Sequence, residues 1–478
     1  MKYSLTRKIL PAFAITTALG LLPIHTVNAQ ETFPGITHND SKEEEFKETL
    51  KTKDYDEWRK SLTYDEKQIF SLFEFLQLNP LIKEDNGNID IINSNELDQF
   101  DKRKSILALD ALLMKKKIDM DIHVYKYLTA EEVGFKPSEL SLPYESIINR
   151  NAFKNISENF KFGISVGYLD PHLTKKESKF NGPILLDLKL PKGTHIGYLD
   201  TNGHILLPRD RGIIITNSSI IVEKGKEKIK VEAELVDKNT VTTKIEAKEN
   251  TINKHFRTAI ENSTSIPEKN KIPVETKFIK IVTNNLNASF AVNKSATLLH
   301  IFTKSVPGDL LVKTLEQMNS NAALTITDIP WRKLGGVINQ DIQGISDSSF
   351  ASYNVNSKQI VLNLSTHKQL LYSLQPIGDD DSAPETPIQT LIHEFGHAVD
   401  ILILNKLSTT SEFEDLYKEE KNNIKIEDYM KKNPQEFFAS AFSYLFSPNT
   451  HYQERIKKEA PKTVEFIQNE LKKKGLLN

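Results

Sequence analysis

The stretch TLIHEFGHAVD, starting at Thr390, holds two histidines four positions apart with Glu394 directly after the first. On a helix, residues four apart share one face, about 6 Å along the axis. His393 and His397 can then aim their imidazoles at one ion. Glu394 projects about 100° away from His393, beside the ion, where it can take a proton from a metal-bound water. This is the logic of the H-E-x-x-H pattern of metallopeptidases. Two ligands are not enough, because hydrolytic zinc takes three protein ligands and keeps one position for water. The candidate third ligand is Glu436, in Asn433-Pro434-Gln435-Glu436. The spacing Asn433-x-x-Glu436 is also a capping pattern, so Glu436 could instead close its own helix end. Tyr429 lies seven residues upstream, where a phenol could steady an oxyanion or protonate a leaving amine. The chain has no cysteine, so disulfides and thiol catalysis are excluded and a metal must be held by His and carboxylates.

The elements that would position these groups are also readable. Thr386-Pro387-Ile388-Gln389 is a capping-box start with Pro at the first helical position, and the helix should run through Ala398 towards Leu404. Gly396 within it predicts close approach by another backbone, at some helical cost. A second helix should begin at Asn433-Pro434, packed through Phe437, Phe438, Phe442, Leu445 and Phe446. Asp379-Asp380-Asp381 before the first helix reads as a solvated loop or as an attractor of basic substrate. KQIVLNL (358–364) reads as one arm of a hairpin turning at Asn356-Ser357, with ASYNV as the other. It is either an edge strand that could align an extended substrate or an interior strand. Trp331 reads as core, and His300 and His367 as surface or packing residues.

Further upstream, KFIKIVT (277–283) and AALTITDI (322–329) read as strands. From Tyr55 to about Met114 the pattern is largely helical, and IHVYKYL (122–128) is the first clear strand. Then GPILLDLKL, THIGYL, GHILLP, RGIIIT, SIIVEK and KIKVEAELV read as short strands split by Gly, Pro and Asn. Helical periodicity returns in TKIEAKENTINKHFRTAIEN, which puts a domain boundary near 239–243. With 478 residues and a formal net charge of -2, the chain suits two or three domains and gives no support to nucleic-acid binding.

Residues 1–29 read as a signal peptide. Lys2, Arg7 and Lys8 make a basic start, an apolar run follows, and Val27-Asn28-Ala29 fits the small-residue cleavage rule. The alternative, a membrane anchor, suits a run broken by Pro11, Gly20 and Pro23 less well. Removal would take the formal net charge from -2 to -5 and leave no other segment able to span a bilayer. The expected product is secreted and extracellular. Residues 30–54 read as a polar lead-in, either a solvated helix or a loose segment.

HEFGHAVD, Tyr429 seven residues before Glu436 in EFFASAF, and KKEAPKTVEFIQNEL near the C-terminus together resemble the catalytic domain of the anthrax lethal factor family. The resemblance extends back through TDIPW and GYLDTNGHILLPRDRGIIIT, over most of the chain from Tyr55. It implies an α+β chain of two domains: a degenerate ADP-ribosyltransferase-like domain at 55–242, then a zincin-like metallopeptidase domain at 243–478. It implies one Zn2+ per chain on His393, His397 and Glu436, with Glu394 as general base and Tyr429 at the tetrahedral intermediate. The family tends to have an acidic residue one turn after the ligand glutamate. Here that position is Ser440, which would weaken the support that orients a ligating histidine. Asp400, on the His397 side, could compensate or be only a helix-surface carboxylate.

The middle domain resembles ADP-ribosyltransferases, whose active members use a strand Arg, an S-T-S strand and an E-x-E loop. The best counterparts here are Lys126, Ser165-Val166-Gly167 and Asn202-Gly203-His204, and none preserves its motif. The expected activity is endoproteolysis of a host protein, and the resemblance implies a signalling kinase in the host cytosol as a candidate target. A carrier or pore-forming partner is in doubt, because the large carrier-binding domain of the family has no counterpart here. The rivals are an ADP-ribosylating toxin acting through the middle domain and a non-catalytic binding subunit.

Overall fold

The computed structural model describes residues 39–477 apart from 76–77, 86, 93–100, 136, 142–146, 176–181, 266–275, 335–344, 347–348 and 366–385. The leader, His367 and Asp379 to Asp381 therefore lie outside the described residues.

Two sheets carry the molecule. The first is five-stranded, in the order β1-β3-β7-β6-β2. Its members are β1 (Ile122–Leu128), β2 (Phe162–Ser165), β3 (Ile184–Leu190), β6 (Arg211–Glu223) and β7 (Lys226–Asp237). Strands β4 (Gly197–Tyr198) and β5 (Ile205–Leu206) form a separate two-stranded ladder. Only β3 and β7 run parallel within the large sheet. The segments RGIIIT and SIIVEK, expected as two strands, are one. The chain passes from Ile215 to Asn217 through a bulge, and the extra residue, Thr216, bonds the Glu232 carbonyl through its hydroxyl at 3.1 Å. A bulge absorbs a residue without ending the ladder. The turn into β7 has positive φ at both Lys224 and Gly225, the geometry that fits the right-handed twist of a two-residue hairpin.

The expected polar lead-in is helical from Asn39 and is not loose. Leu50, Tyr55 and Trp58 are buried in the first core. Lys47, 1% exposed, is neutralised by Glu43 at 2.8 Å. Here a charge-rich sequence has one apolar side, and that side packs.

The second sheet runs β10-β11-β9-β8, from β8 (Ile279–Val282), β9 (Leu324–Thr327), β10 (Ala351–Asn354) and β11 (Gln359–Asn363). The hairpin β10–β11 forms as read, but KQIVLNL is the interior strand and β10 is the edge among the described residues. The opposite edge is closed by the helix Lys238–Ser263. Its Asn253 accepts from the N–H groups of Phe278 and Ile279, and its Glu249 accepts from Ile281. That helix buries Val241, Ile245, Ile252, Phe256 and Ile260 in the second core, at the three-to-four spacing of one helical face. Trp331 is buried and donates its indole N–H to the Ser349 carbonyl, whereas His300 is exposed.

The two halves meet closely at β2. A Cβ at Gly163 would lie 1.6 Å from the Leu286 carbonyl oxygen, so only glycine allows this contact. Ser289 then accepts from the N–H of Lys161 at 2.8 Å, and Ile164 donates to Asn285 at 2.8 Å.

Candidate metal centre

The motif helix runs Pro387–Ala398, with Pro at its start and Thr386 accepting from the Gln389 N–H at 3.3 Å. It passes into a wider π turn at Val399–Ile403. The partner helix, Pro434–Leu445, is capped by Asn433, which accepts from the Glu436 N–H at 2.8 Å. The two helices cross where Gly396 faces Ala439. A Cβ on Gly396 would lie 3.2 Å from the Ala439 Cα and carbonyl oxygen, so the close approach predicted from Gly396 is realised. Further contacts fix an antiparallel register. Gln389 donates to the Ser443 hydroxyl at 2.8 Å, and Ser440 meets His393 at 3.2 Å.

That register sets Glu436 over both histidines. Its Oε2 lies 3.1 Å from His393 Nε2 and 3.3 Å from His397 Nε2. One ligand atom from each of the three residues falls within 4.8 Å of the others. Ligands about 2.0–2.2 Å from a tetrahedral zinc ion stand about 3.3–3.6 Å apart, so the donor set and its spacing fit that ion. Glu436 takes part in its own helix end only through its N–H, while its carboxylate faces the imidazoles. Burial pushes that carboxyl up, but hydrogen bonds and charge from His393 and His397 outweigh it and hold it well below the usual carboxylate range.

Glu394 lies to one side, accepting from the Tyr353 N–H of β10 at 2.7 Å. Tyr429 stands at the mouth, 46% exposed, and donates to Glu436 Oε1 at 3.1 Å. Asp400 is buried and bonds Ser408 twice, through the backbone N–H at 2.9 Å and the hydroxyl at 2.5 Å. It therefore pins the turn after the helix, and it reaches His397 through charge. Ser440 contacts His393 Nδ1 directly. Sequence reasoning missed Tyr353 and Glu427. Glu427 accepts from the Tyr444 hydroxyl at 3.1 Å. Burial raises its carboxyl, against the opposing pull of the His393 charge and of the nearby Tyr444 and Ser440 hydroxyls. Neither residue sits at a telling spacing, because both arrive through tertiary packing.

The transferase-type counterparts part company. Lys126 donates to Asp170 at 2.6 Å, and His204 lies 3.1 Å from the Asp170 carbonyl oxygen and stacks on His172 at 4.3 Å. Ser165 stands apart, its hydroxyl donating to the Gly167 carbonyl at 3.0 Å. Asn202 belongs to a turn in which Asp200 accepts from the N–H groups of Asn202 and His204.

Two α+β regions, each with its own sheet, agree with the comparisons. Residues 47–238 match the ADP-ribosyltransferase exoenzyme family, and residues 265–470 match the family described as anthrax toxin lethal factor, N- and C-terminal domain. The chain thus joins an ADP-ribosyltransferase-like domain to a lethal-factor-like domain. It is 29% identical over 335 residues to lethal factor of Bacillus anthracis, a match covering 68% of this chain and 38% of that protein. It is 41% identical over 78 residues to a Pro-Pro endopeptidase of Paenibacillus alvei, covering 16% of this chain and 35% of that one. The chain thus spans well under two thirds of either relative. Among solved structures, the C3larvin toxin, an ADP-ribosyltransferase from Paenibacillus larvae, matches at 28% identity with a TM-score of 0.33, covering 39% of this chain and 94% of that one.

Proposed function

We propose that this protein is a secreted zinc endopeptidase toxin that hydrolyses peptide bonds in a host protein. The observation that carries the reading is the convergence of His393, His397 and Glu436 on one point, with Glu394 beside it. The similarity to lethal factor and to Pro-Pro endopeptidases supports it. Bound zinc would supply a Lewis acid that polarises the scissile carbonyl and acidifies water. His393, His397 and Glu436 would hold it. Glu394 takes the proton of the attacking water and passes it to the departing amine. The Tyr429 phenol, exposed at the mouth, donates a hydrogen bond to the oxyanion as it develops. Extended substrate would add to the sheet at β10, an edge strand among the described residues.

The test compares the wild type with Glu394→Ala on a peptide library, after zinc stoichiometry is measured. Zinc at about one per chain in both, with cleavage reduced about 10²–10⁴-fold in the variant, is expected. Cleavage that survives both chelation and the substitution would overturn the proposal.

A further inference from the structure

Strand β10 pairs with β11 antiparallel, Ala351 opposite Leu362 and Tyr353 opposite Ile360. Just before the strand, the Asn363 N–H donates to the Phe350 carbonyl at 2.8 Å. In an antiparallel pair, residues that exchange main-chain bonds alternate with residues that do not. Counting on from Phe350, the main-chain groups of Ser352 and Asn354 turn in towards β11. Those of Ala351 and Tyr353 turn out, to the side where β10 has no neighbouring strand among the described residues. The Tyr353 N–H agrees with the count: it leaves the sheet and donates to Glu394 Oε2 at 2.7 Å. The outward set is therefore the N–H and C=O of Ala351 and of Tyr353, and one of the four is bonded to the general base.

We infer that the Tyr353 N–H positions Glu394 and ends the substrate ladder, so that extended substrate pairs with Ala351 and the bond to be cut lies beside Tyr353. A carboxylate on a flexible stem needs a fixed partner to stay beside a reacting water, and this N–H is held in place by the hairpin. A substrate carbonyl opposite Tyr353 would have to displace that carboxylate, and a charged acceptor holds an N–H more strongly than a neutral one. That carbonyl stays unpaired with this N–H and can turn towards His393, His397 and Glu436. Only the main chain of Tyr353 acts, since its ring packs against the second core.

The inference rests on the endopeptidase reading, and its test separates the two. An amide-to-ester exchange replaces one main-chain N–H by oxygen and keeps every side chain. It is made in the full chain at Tyr353 and, separately, at Ala351, and each protein is assayed with zinc on a peptide that the wild type cleaves. The Tyr353 ester should lose about 10- to 100-fold in kcat, the worth of one hydrogen bond to a charged group, with KM nearly unchanged. The Ala351 ester should instead raise KM about 2- to 10-fold and leave kcat nearly unchanged. Both should hold as much zinc as the wild type. Tyr353→Pro should repeat the kcat loss, since an edge strand tolerates proline where the N–H faces outward, and Tyr353→Ala, which keeps the N–H, should not. A wild type that binds no zinc or cleaves no peptide overturns the endopeptidase reading itself. A cleaving wild type with unchanged kcat in the Tyr353 ester, with an effect there on KM alone, or with equal kcat losses in the two esters overturns the inference alone. If the Tyr353 ester does not fold, Tyr353→Pro set against Tyr353→Ala reads the same N–H, and equal kcat in those two overturns the inference.

Discussion

Two clusters in this molecule gather histidines and charged groups, and they end differently. Around Lys126 the charges are spent on one another. The ammonium is 2.6 Å from the half-buried Asp170, whose carboxyl is held well below the usual range because contacts with His204 and Lys126 outweigh burial. Around His393 the ligand atoms of three residues converge on one point. Two imidazole nitrogens and a carboxylate oxygen face one another, an arrangement of electron pairs that repels unless a cation or protons lie between them. The difference teaches that clustering alone is a poor guide to function. What matters is whether a cluster still needs something from outside.

The comparison breaks most sharply at Glu436. Glu436→Ala removes the only carboxylate that faces both imidazoles among the described residues. The zinc content of the purified chain should fall from about one per molecule to near zero, since two nitrogens make an incomplete site. Metal analysis after gel filtration reads this directly. Full retention of zinc would mean that Glu436 is a cap and no ligand. A smaller effect is expected at Tyr429. Tyr429→Phe keeps the ring and removes the donor, so zinc should stay bound while kcat falls by about 10²–10³-fold, as for loss of one oxyanion donor. Unchanged kcat would leave the phenol as a partner of Glu436 only.

Much of the metal centre was legible because its grammar is local. Thr386, Pro387 and Gln389 announce a helix start, and the histidine spacing follows from the helical period, so no tertiary knowledge was needed. Gly396 announced a close crossing, though not with what, and Ala439 could be identified only in the fold. Most strands of the first sheet are readable, but β2 is not, and the join between RGIIIT and SIIVEK reads as a break where the strand continues through a bulge at Thr216, since pairing across to Glu232 decides that. Whether KQIVLNL lies at an edge depends on strand order, which no run of residues encodes. Glu427 was invisible for the same reason. It meets Tyr444 only across a helix interface.

The gentlest perturbation sharpens the other half of the comparison. If the Lys126 cluster is spent on itself, Lys126→Ala should change little. The pair is partly exposed, with side-chain exposures of 18% and 34%, so its loss should cost about 1 kcal/mol or less of stability. Peptide cleavage by the metal centre should be unaffected, because Lys126 lies on β1 in the other sheet. The informative measurement is incubation of wild type with NAD labelled in the adenylate moiety and a host-cell extract. No transfer of label is expected, since the carboxylate beside Lys126 is already paired with Lys126 and His204. Transfer that is present in wild type and lost in Lys126→Ala would reverse the comparison and make the first domain an active transferase. A stability loss of several kcal/mol without transfer would instead show the pair to be a buried strut of the first sheet, still spent on itself but worth far more than its exposure implies.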